Sequence, residues 1–208
     1  MSFEEKFDPR RAGKITGSQV HLLFPKRENK ASQLTYAKHL ANELYFGEIK
    51  SPETWQMAHG NDGERLAHNY FTEFFDFNVQ EKPAFFEKGI FGGTPDAIST
   101  TYGIDYKCPT SLEKWLDYLH DGISHQQYHQ CQMYMWLTEL KHWKICAFLV
   151  ETTYMENDNK SYDIPYDKRM ILINVEFDEN WANELEEKAK FIIEQRDIYF
   201  ENLKNQFK

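Results

Sequence analysis

The chain has 208 residues, 41% of them hydrophobic and 16% aromatic, enough for one ordinary domain with a substantial core. Its 24 lysines and arginines face 33 aspartates and glutamates, a net charge of −9, which argues against a protein that coats nucleic acid non-specifically but leaves DNA open as a substrate of a locally basic channel. No stretch approaches the roughly 20 apolar residues of a membrane span, Met1 to Lys6 lacks the character of a secretion signal, and Cys108, Cys131 and Cys146 do not make a disulfide framework or a CxxC zinc site, so an intracellular (cytoplasmic), reducing setting is expected.

No repeat, low-complexity tract or linker interrupts the chain, so residues 1–208 are expected to form a single domain. Asp8-Pro9 to Gly17 reads as a turn-rich lead-in, with Ser18 capping a short helix to Phe24. Residues 26–33 read as loop, and Leu34 to Tyr45 as a helix ended by Gly47. Ser51 and Pro52 open a longer helix reaching Phe75. Strands are expected near 79–87, 90–99 and 103–107. Ser111 to His120 reads as helical, and Ser124 caps a helix running to Leu140. Trp143 to Val150 is an apolar run suited to a buried central strand, residues 154–168 form a polar loop, and Met170 to Phe177 is a further strand. A charged amphipathic helix from Asn180 to Lys204 carries Trp181, Leu185, Phe191, Ile192, Ile198 and Leu203 on its apolar side. The sum is an α/β (α+β) fold with one central mixed sheet flanked by helices.

The segment 94–107 carries the chemistry. Tyr102-Gly103 and the preceding Thr100 and Thr101 read as the turn of a hairpin that folds Asp96 back against the strand 104–108. Residues two apart on a strand share a face, so Asp105 and Lys107 point one way and Ile104 and Tyr106 the other. Two carboxylates so placed suit a hard divalent cation such as Mg²⁺, and an adjacent lysine suits phosphodiester cleavage, where it stabilises the attacking hydroxide or the developing phosphorane. The pattern by itself is also that of an ordinary exposed hairpin with surface ion pairs.

Glu64, in Gly60-Asn61-Asp62-Gly63-Glu64, is placed on the long helix to complete a metal shell. The two glycines there mark close backbone approach or a bend, unless the helix simply begins near Asp62. Gln130 and Gln132 cannot share one helical direction, so if one reaches the site the other packs or is solvated. His125 and His129 have the i, i+4 spacing of zinc helices but lack the intervening Glu of HExxH and companion ligands. Arg10, Arg11, Lys14, Lys26, Arg27 and Lys30 form either a basic channel wall or a solvated surface. Tyr36 and Leu40 on the first long helix are expected to pack, while the roles of Lys38 and Glu43 stay open between packing and DNA contact.

Taken together, the chain resembles the bacteriophage lambda exonuclease or YqaJ-type viral recombinase family of the PD-(D/E)xK nuclease superfamily. The resemblance rests on Arg11-Ala12-Gly13-Lys14-Ile15-Thr16-Gly17-Ser18, Gly60 to Glu64, Thr94-Pro95-Asp96, Asp105-Tyr106-Lys107-Cys108-Pro109 and Tyr128-His129-Gln130-Cys131-Gln132 to Trp136. It implies a restriction-endonuclease-like core and Glu64, Asp96 and Asp105 as metal ligands, with Mg²⁺ or substituting Mn²⁺ at two ions per site. It also implies Lys107 assisting the nucleophilic water, Gln130 lining the site, and Arg11 and Ser18 holding DNA phosphates, Ser18 with its backbone N–H at a helix start. Asp105 stands where the family usually has Glu, one methylene longer.

The activity so implied is 5′-to-3′ digestion of double-stranded DNA ends, leaving 3′ single strands for an annealing partner in phage-type recombination, by a ring-shaped homotrimer encoded by a phage or prophage. The alternatives are an endonuclease or structure-selective nuclease of DNA repair and, from a different class, a non-catalytic DNA-binding protein. Three scattered cysteines do not supply the four ligands of an iron–sulfur nuclease.

Overall fold

The fold is that of a computed structural model, which describes residues 8–27, 29–47, 49, 54–150 and 164–208. Its centre is a five-stranded sheet in the order β2 (Gln80–Glu81), β5 (Ala97–Ile98), β6 (Gly103–Lys107), β7 (His142–Phe148) and β8 (Met170–Glu176). The β6–β7 pair is parallel and the other neighbours are antiparallel. A second sheet of β1 (Ile15–Thr16), β4 (Phe91–Gly93) and β3 (Phe86–Lys88) lies beside it. The helices are α1 (Lys30–Phe46), α2 (Trp55–Phe74), α3 (Leu112–His120), α4 (His125–Thr138) and α5 (Glu179–Gln206).

The alternation of β6 and β7 decides which helix covers which face. Ile104, Tyr106, Cys146 and Phe148 pack against Ala67, Tyr70 and Phe71 of α2. Full burial of such large apolar side chains stabilises by about 1.5–3 kcal/mol each. Trp143 and Ile145 face the other way and join Met133, Tyr134 and Leu137 of α4, Tyr36 and Leu40 of α1, and Trp181, Leu185 and Ile192 of α5. Trp115 of α3 covers Ala147 and Leu149 and donates its indole N–H to the Ala147 carbonyl at 3.1 Å. Tyr36 and Leu40 thus pack, as their apolar spacing indicates.

Several boundaries differ from expectation. Ser18 caps no helix: the chain leaves β1 by a turn, Gln19 N–H to Thr16 C=O at 3.0 Å, and Val20–Leu23 is one short 3₁₀ turn. α1 starts at Lys30 because Asn29 accepts the Ser32 N–H and supplies the cap. Thr54 caps α2, while Ser51 and Pro52 lie outside the described residues. The expected strand 79–87 breaks into β2 and β3 at Lys82, whose φ is +45°, and at Pro83, which has no N–H to donate. The strand 90–99 breaks likewise at Thr94-Pro95-Asp96 into β4 and β5. Asp178 caps α5, and Ile198 is exposed although it was placed on that helix's apolar side. α3, α4 and β6 form where expected, with Ser111 and Ser124 as caps and Gln127 completing a capping box. Of the loop 154–168, residues 154–163 lie outside the described residues, and Tyr166–Lys168 forms a 3₁₀ turn.

Candidate active site

The hairpin exists, and its turn is Ser99 to Tyr102, one residue earlier than the expected Thr100 to Gly103. The Ser99 N–H bonds the Tyr102 carbonyl at 2.8 Å, and the Ser99 hydroxyl accepts the Tyr102 N–H at 3.2 Å. Gly103 is already in β6, opposite Trp143, and a Cβ there would fall within the Trp143 ring. The Tyr102 hydroxyl ties the tip to the end of α2 by donating to Asp76 Oδ2 at 2.7 Å.

Asp96, just ahead of β5, accepts the backbone N–H of Tyr106 on Oδ2 at 2.8 Å. This bond locks the Thr94-Pro95-Asp96 loop onto β6 beside Asp105. Asp105 is fully buried on the α4 face of the sheet. Its Oδ1 accepts from Gln130 Nε2 at 3.2 Å, and its Oδ2 lies 2.6 Å from Lys107 Nζ. That second contact is an ion pair without hydrogen-bond alignment, because Oδ2 has no partner in hydrogen-bonding geometry.

The charges are frustrated in a manner that favours a cation. Burial first, then the Asp105 and Glu64 charges, raise the Asp96 pKa well above the usual carboxylate range. For Lys107, burial opposes the charge, but the Asp105 and Asp96 carboxylates outweigh it and hold the ammonium protonated. Glu64 on α2 is within electrostatic reach of Asp96, Lys107 and Cys108. Three carboxylates around one ammonium leave excess negative charge, so the donor set fits a hard divalent cation. Among the described residues, no three His, Cys, Asp or Glu side chains converge closely enough to hold an ion by themselves.

The glycine at 63 is explained by close approach. α2 is continuous through it, so the helix does not begin at Asp62, and a Cβ would lie 2.6 Å from both Cβ and Sγ of Cys108. Nothing in the structure explains Gly60, whose missing Cβ faces open space. Gln130 and Gln132 divide as their spacing requires. Gln130 meets Asp105, whereas buried Gln132 donates to the Glu176 carbonyl at 2.8 Å and accepts the Asp178 N–H at 2.8 Å.

Arg11 is exposed on the 3₁₀ turn Pro9–Arg11. Ser18 reaches α4 through its backbone, its carbonyl accepting Gln126 Nε2 at 2.9 Å, one turn before Gln130. Within the proposed basic cluster, Arg10 pairs with Asp8 at 2.6 Å and Lys14 with Glu87 at 3.0 Å, so those two charges are matched locally. Glu43 is a packing residue, accepting the Gly13 N–H at 3.2 Å and pairing with His39 at 3.0 Å.

Sequence reasoning missed Tyr134. Its ring occupies the space that side chains at Gly17 and Gly93 would fill, within electrostatic reach of Asp105 and Asp96. The signal was its i+4 spacing from Gln130, which puts both on one helical face. Also missed was a cavity of about 400 Å³ beside Lys107, lined by Lys114, Asp117, Tyr118, Ser124 and Gln127 among others.

The YqaJ-like viral recombinase domain matches residues 6–141. Comparison with curated proteins returned no match. Among solved structures, the chain is similar to an alkaline exonuclease (LHK-Exo) from Laribacter hongkongensis, with 20% identity, 97% of each chain covered and a TM-score of 0.78. A structure of LHK-Exo in complex with dAMP aligns over the same share of both chains with a TM-score of 0.75 and 20% identity. A phage-related exonuclease from Haemophilus somnus 129PT aligns over 94% of this chain and 96% of its own, with 18% identity and a TM-score of 0.72. The architecture is therefore of the restriction-endonuclease-like type.

Proposed function

Since the chain belongs to the YqaJ-like viral recombinase family and is thus a DNA nuclease, we propose that it is a Mg²⁺-dependent exonuclease that digests duplex DNA from 5′ ends and leaves 3′ single strands for annealing. The observation that carries this reading is the pairing of half-buried Asp96 with fully buried Asp105, with Lys107 at 2.6 Å and Gln130 at 3.2 Å from Asp105. Glu64, Asp96 and Asp105 would hold the metal, with Mn²⁺ as a substitute and two ions per site. When bound, it supplies neutralisation of phosphate charge and a more acidic water.

The chain's own residues do the rest. Lys107, kept protonated by two carboxylates, serves as a fixed positive charge for the attacking hydroxide and the developing phosphorane, not as a base. Gln130 holds the Asp105 carboxylate in one orientation through its Nε2 donor. Arg11 and Ser18 bind phosphates of the DNA end, Ser18 through its hydroxyl on the turn after β1 and not through a helix terminus. The cavity beside Lys107 has the size and polarity to take a released mononucleotide, a reading supported by the dAMP bound to LHK-Exo. Assembly into a ring-shaped homotrimer would reconcile the net charge of −9 with DNA binding, because only the channel wall needs to be basic.

The test is digestion of linear duplex labelled at either end, beside a covalently closed circle, with Mg²⁺ or EDTA, for wild type and Lys107→Ala. Metal-dependent release of the 5′ label, an intact circle and an inactive variant are expected. Cutting of the circle would establish an endonuclease instead, and absence of any metal-dependent cleavage would favour a binding protein.

A further inference from the structure

A second cluster of titratable side chains lies one turn from Gln130 and has no part in the chemistry above. The Trp181 indole N–H donates to His129 Nδ1 at 2.7 Å, and His129 Nε2 lies 3.0 Å from His125 Nε2. Phe24 stacks on His129 with centroids 4.6 Å apart and on Trp181 at 5.3 Å. The cluster therefore joins α4, the start of α5 and the end of the N-terminal 3₁₀ turn.

The hydrogen-bond roles are determined by one fact: an indole nitrogen can only donate. His129 Nδ1 must then be a bare acceptor, so a neutral His129 carries its proton on Nε2. That proton points at His125 Nε2, which must also be bare, leaving the His125 proton on Nδ1. The order runs one way, from Trp181 to His129 to His125. A proton added to His129 Nδ1 would face the Trp181 N–H, and one added to His125 Nε2 would face the His129 N–H. The same logic disfavours zinc at this pair, because His129 Nε2 would have to lose its proton with Nδ1 already bare.

We propose that Trp181, His129 and His125 form a directional hydrogen-bond chain that positions the Ser18 segment against α4 only while His129 is neutral, so that acidification releases the segment and weakens binding of a DNA end. The consequence for DNA rests on the function proposed above; the chain itself does not. The other titratable groups around it are His21 on the 3₁₀ segment, Tyr128 on α4 and Asp178 at the start of α5. His21 lies within electrostatic reach of both imidazoles and against the Ser18 backbone, so added protons repel one another across the contact. Asp178 is already engaged by the Tyr128 hydroxyl at 3.0 Å and by the Asn180 N–H at 2.9 Å.

Burial first, then His125 and His21, lower the His129 pKa to about 4. A depressed histidine means that the folded state binds fewer protons than the unfolded chain. Its stabilising contribution is full above the ordinary imidazole value of 6.5 and is lost as the pH falls toward about 4.

Long-range proton–nitrogen correlation spectra of protein carrying ¹⁵N-histidine test the chain directly. The expected result near neutrality is an Nε2–H tautomer for His129 and an Nδ1–H tautomer for His125. An Nδ1–H tautomer at His129, or its titration at the ordinary imidazole value, overturns the proposal. The positioning role is tested by affinity for a blunt duplex in EDTA as the pH is lowered. In His129→Gln the amide oxygen still accepts the Trp181 N–H but does not titrate, so between about pH 8 and 5.5 it should lose at least about fivefold less affinity than wild type. Superimposable pH profiles overturn the role. Trp181→Phe keeps the ring and frees His129 Nδ1, so the midpoint of the acid loss should rise; an unmoved midpoint overturns it equally. Absence of duplex binding by all three proteins at about pH 8 would refute the DNA-end reading, while the tautomers decide the chain separately.

Discussion

The Asp96 carboxylate accepts the Tyr106 backbone N–H at 2.8 Å, a bond from a loop side chain to the strand whose neighbouring residues, Asp105 and Lys107, face the opposite side of the sheet from the Tyr106 ring. It uses the alternation of β6 twice: the Tyr106 ring anchors the strand on α2, and its main chain anchors the loop that brings in the second carboxylate. The repulsion between Asp96 and Asp105 is thus held in place by packing and backbone bonding on the far side of the sheet.

Asp105→Asn should separate function from stability. The substitution keeps shape while removing one of two mutually repelling charges, so cleavage should fall by at least about a hundredfold while the thermal midpoint holds or rises. Calorimetry beside the cleavage assay reads both, and a fall in the midpoint would mean that the Lys107 pair outweighs the repulsion.

Metal should stabilise the protein more strongly at higher pH. The Asp96 pKa is raised in the folded state, so the fold binds more protons than the unfolded chain, and its metal-free stability declines as the pH rises from the ordinary carboxylate value of 3.8 through the raised one. Above that window the cation replaces the missing proton. The gain in thermal midpoint on adding Mg²⁺ should be larger at about pH 8 than at about pH 5.5 and should vanish in Asp96→Asn.

The two glutamines of α4 should give opposite phenotypes. Gln130→Ala removes the donor on Asp105 Oδ1 and should lower cleavage at least about tenfold with little change in unfolding. Gln132→Ala strands the Glu176 carbonyl and the Asp178 N–H and should destabilise by about 2–4 kcal/mol, with near-normal activity in the molecules that remain folded. Chemical denaturation and specific activity measured on the same samples check the pair.

Gly63→Ala and Gly60→Ala should likewise diverge. An added methyl at 63 meets Cys108 at 2.6 Å and should cost about 1–3 kcal/mol, displacing Glu64 and lowering activity. At 60 it meets nothing and should stabilise α2 by up to about 1 kcal/mol. Equal effects on the denaturation midpoint would mean that Gly63 is not a contact point.

The features legible in the chain alone are those that short-range geometry controls. The period of two on a strand puts Asp105 and Lys107 on one face, helical spacing sends Gln130 and Gln132 to different partners, and Ser111 and Ser124 mark helix starts because their hydroxyls accept N–H groups three residues on. Boundaries were less legible where a local signal competed with pairing. Ser18 looked like a cap, yet the strand register of Ile15 and Thr16 on Phe91 and Gly92 required a turn there. Which distant segments meet emerges from packing: Asp96 on the Tyr106 N–H, Tyr134 in the space left by Gly17 and Gly93, and Trp181 on His129. The physical reason is that each such contact depends on how three or more packed elements share one volume, whereas a turn, a cap or a strand face depends only on the backbone within a few residues.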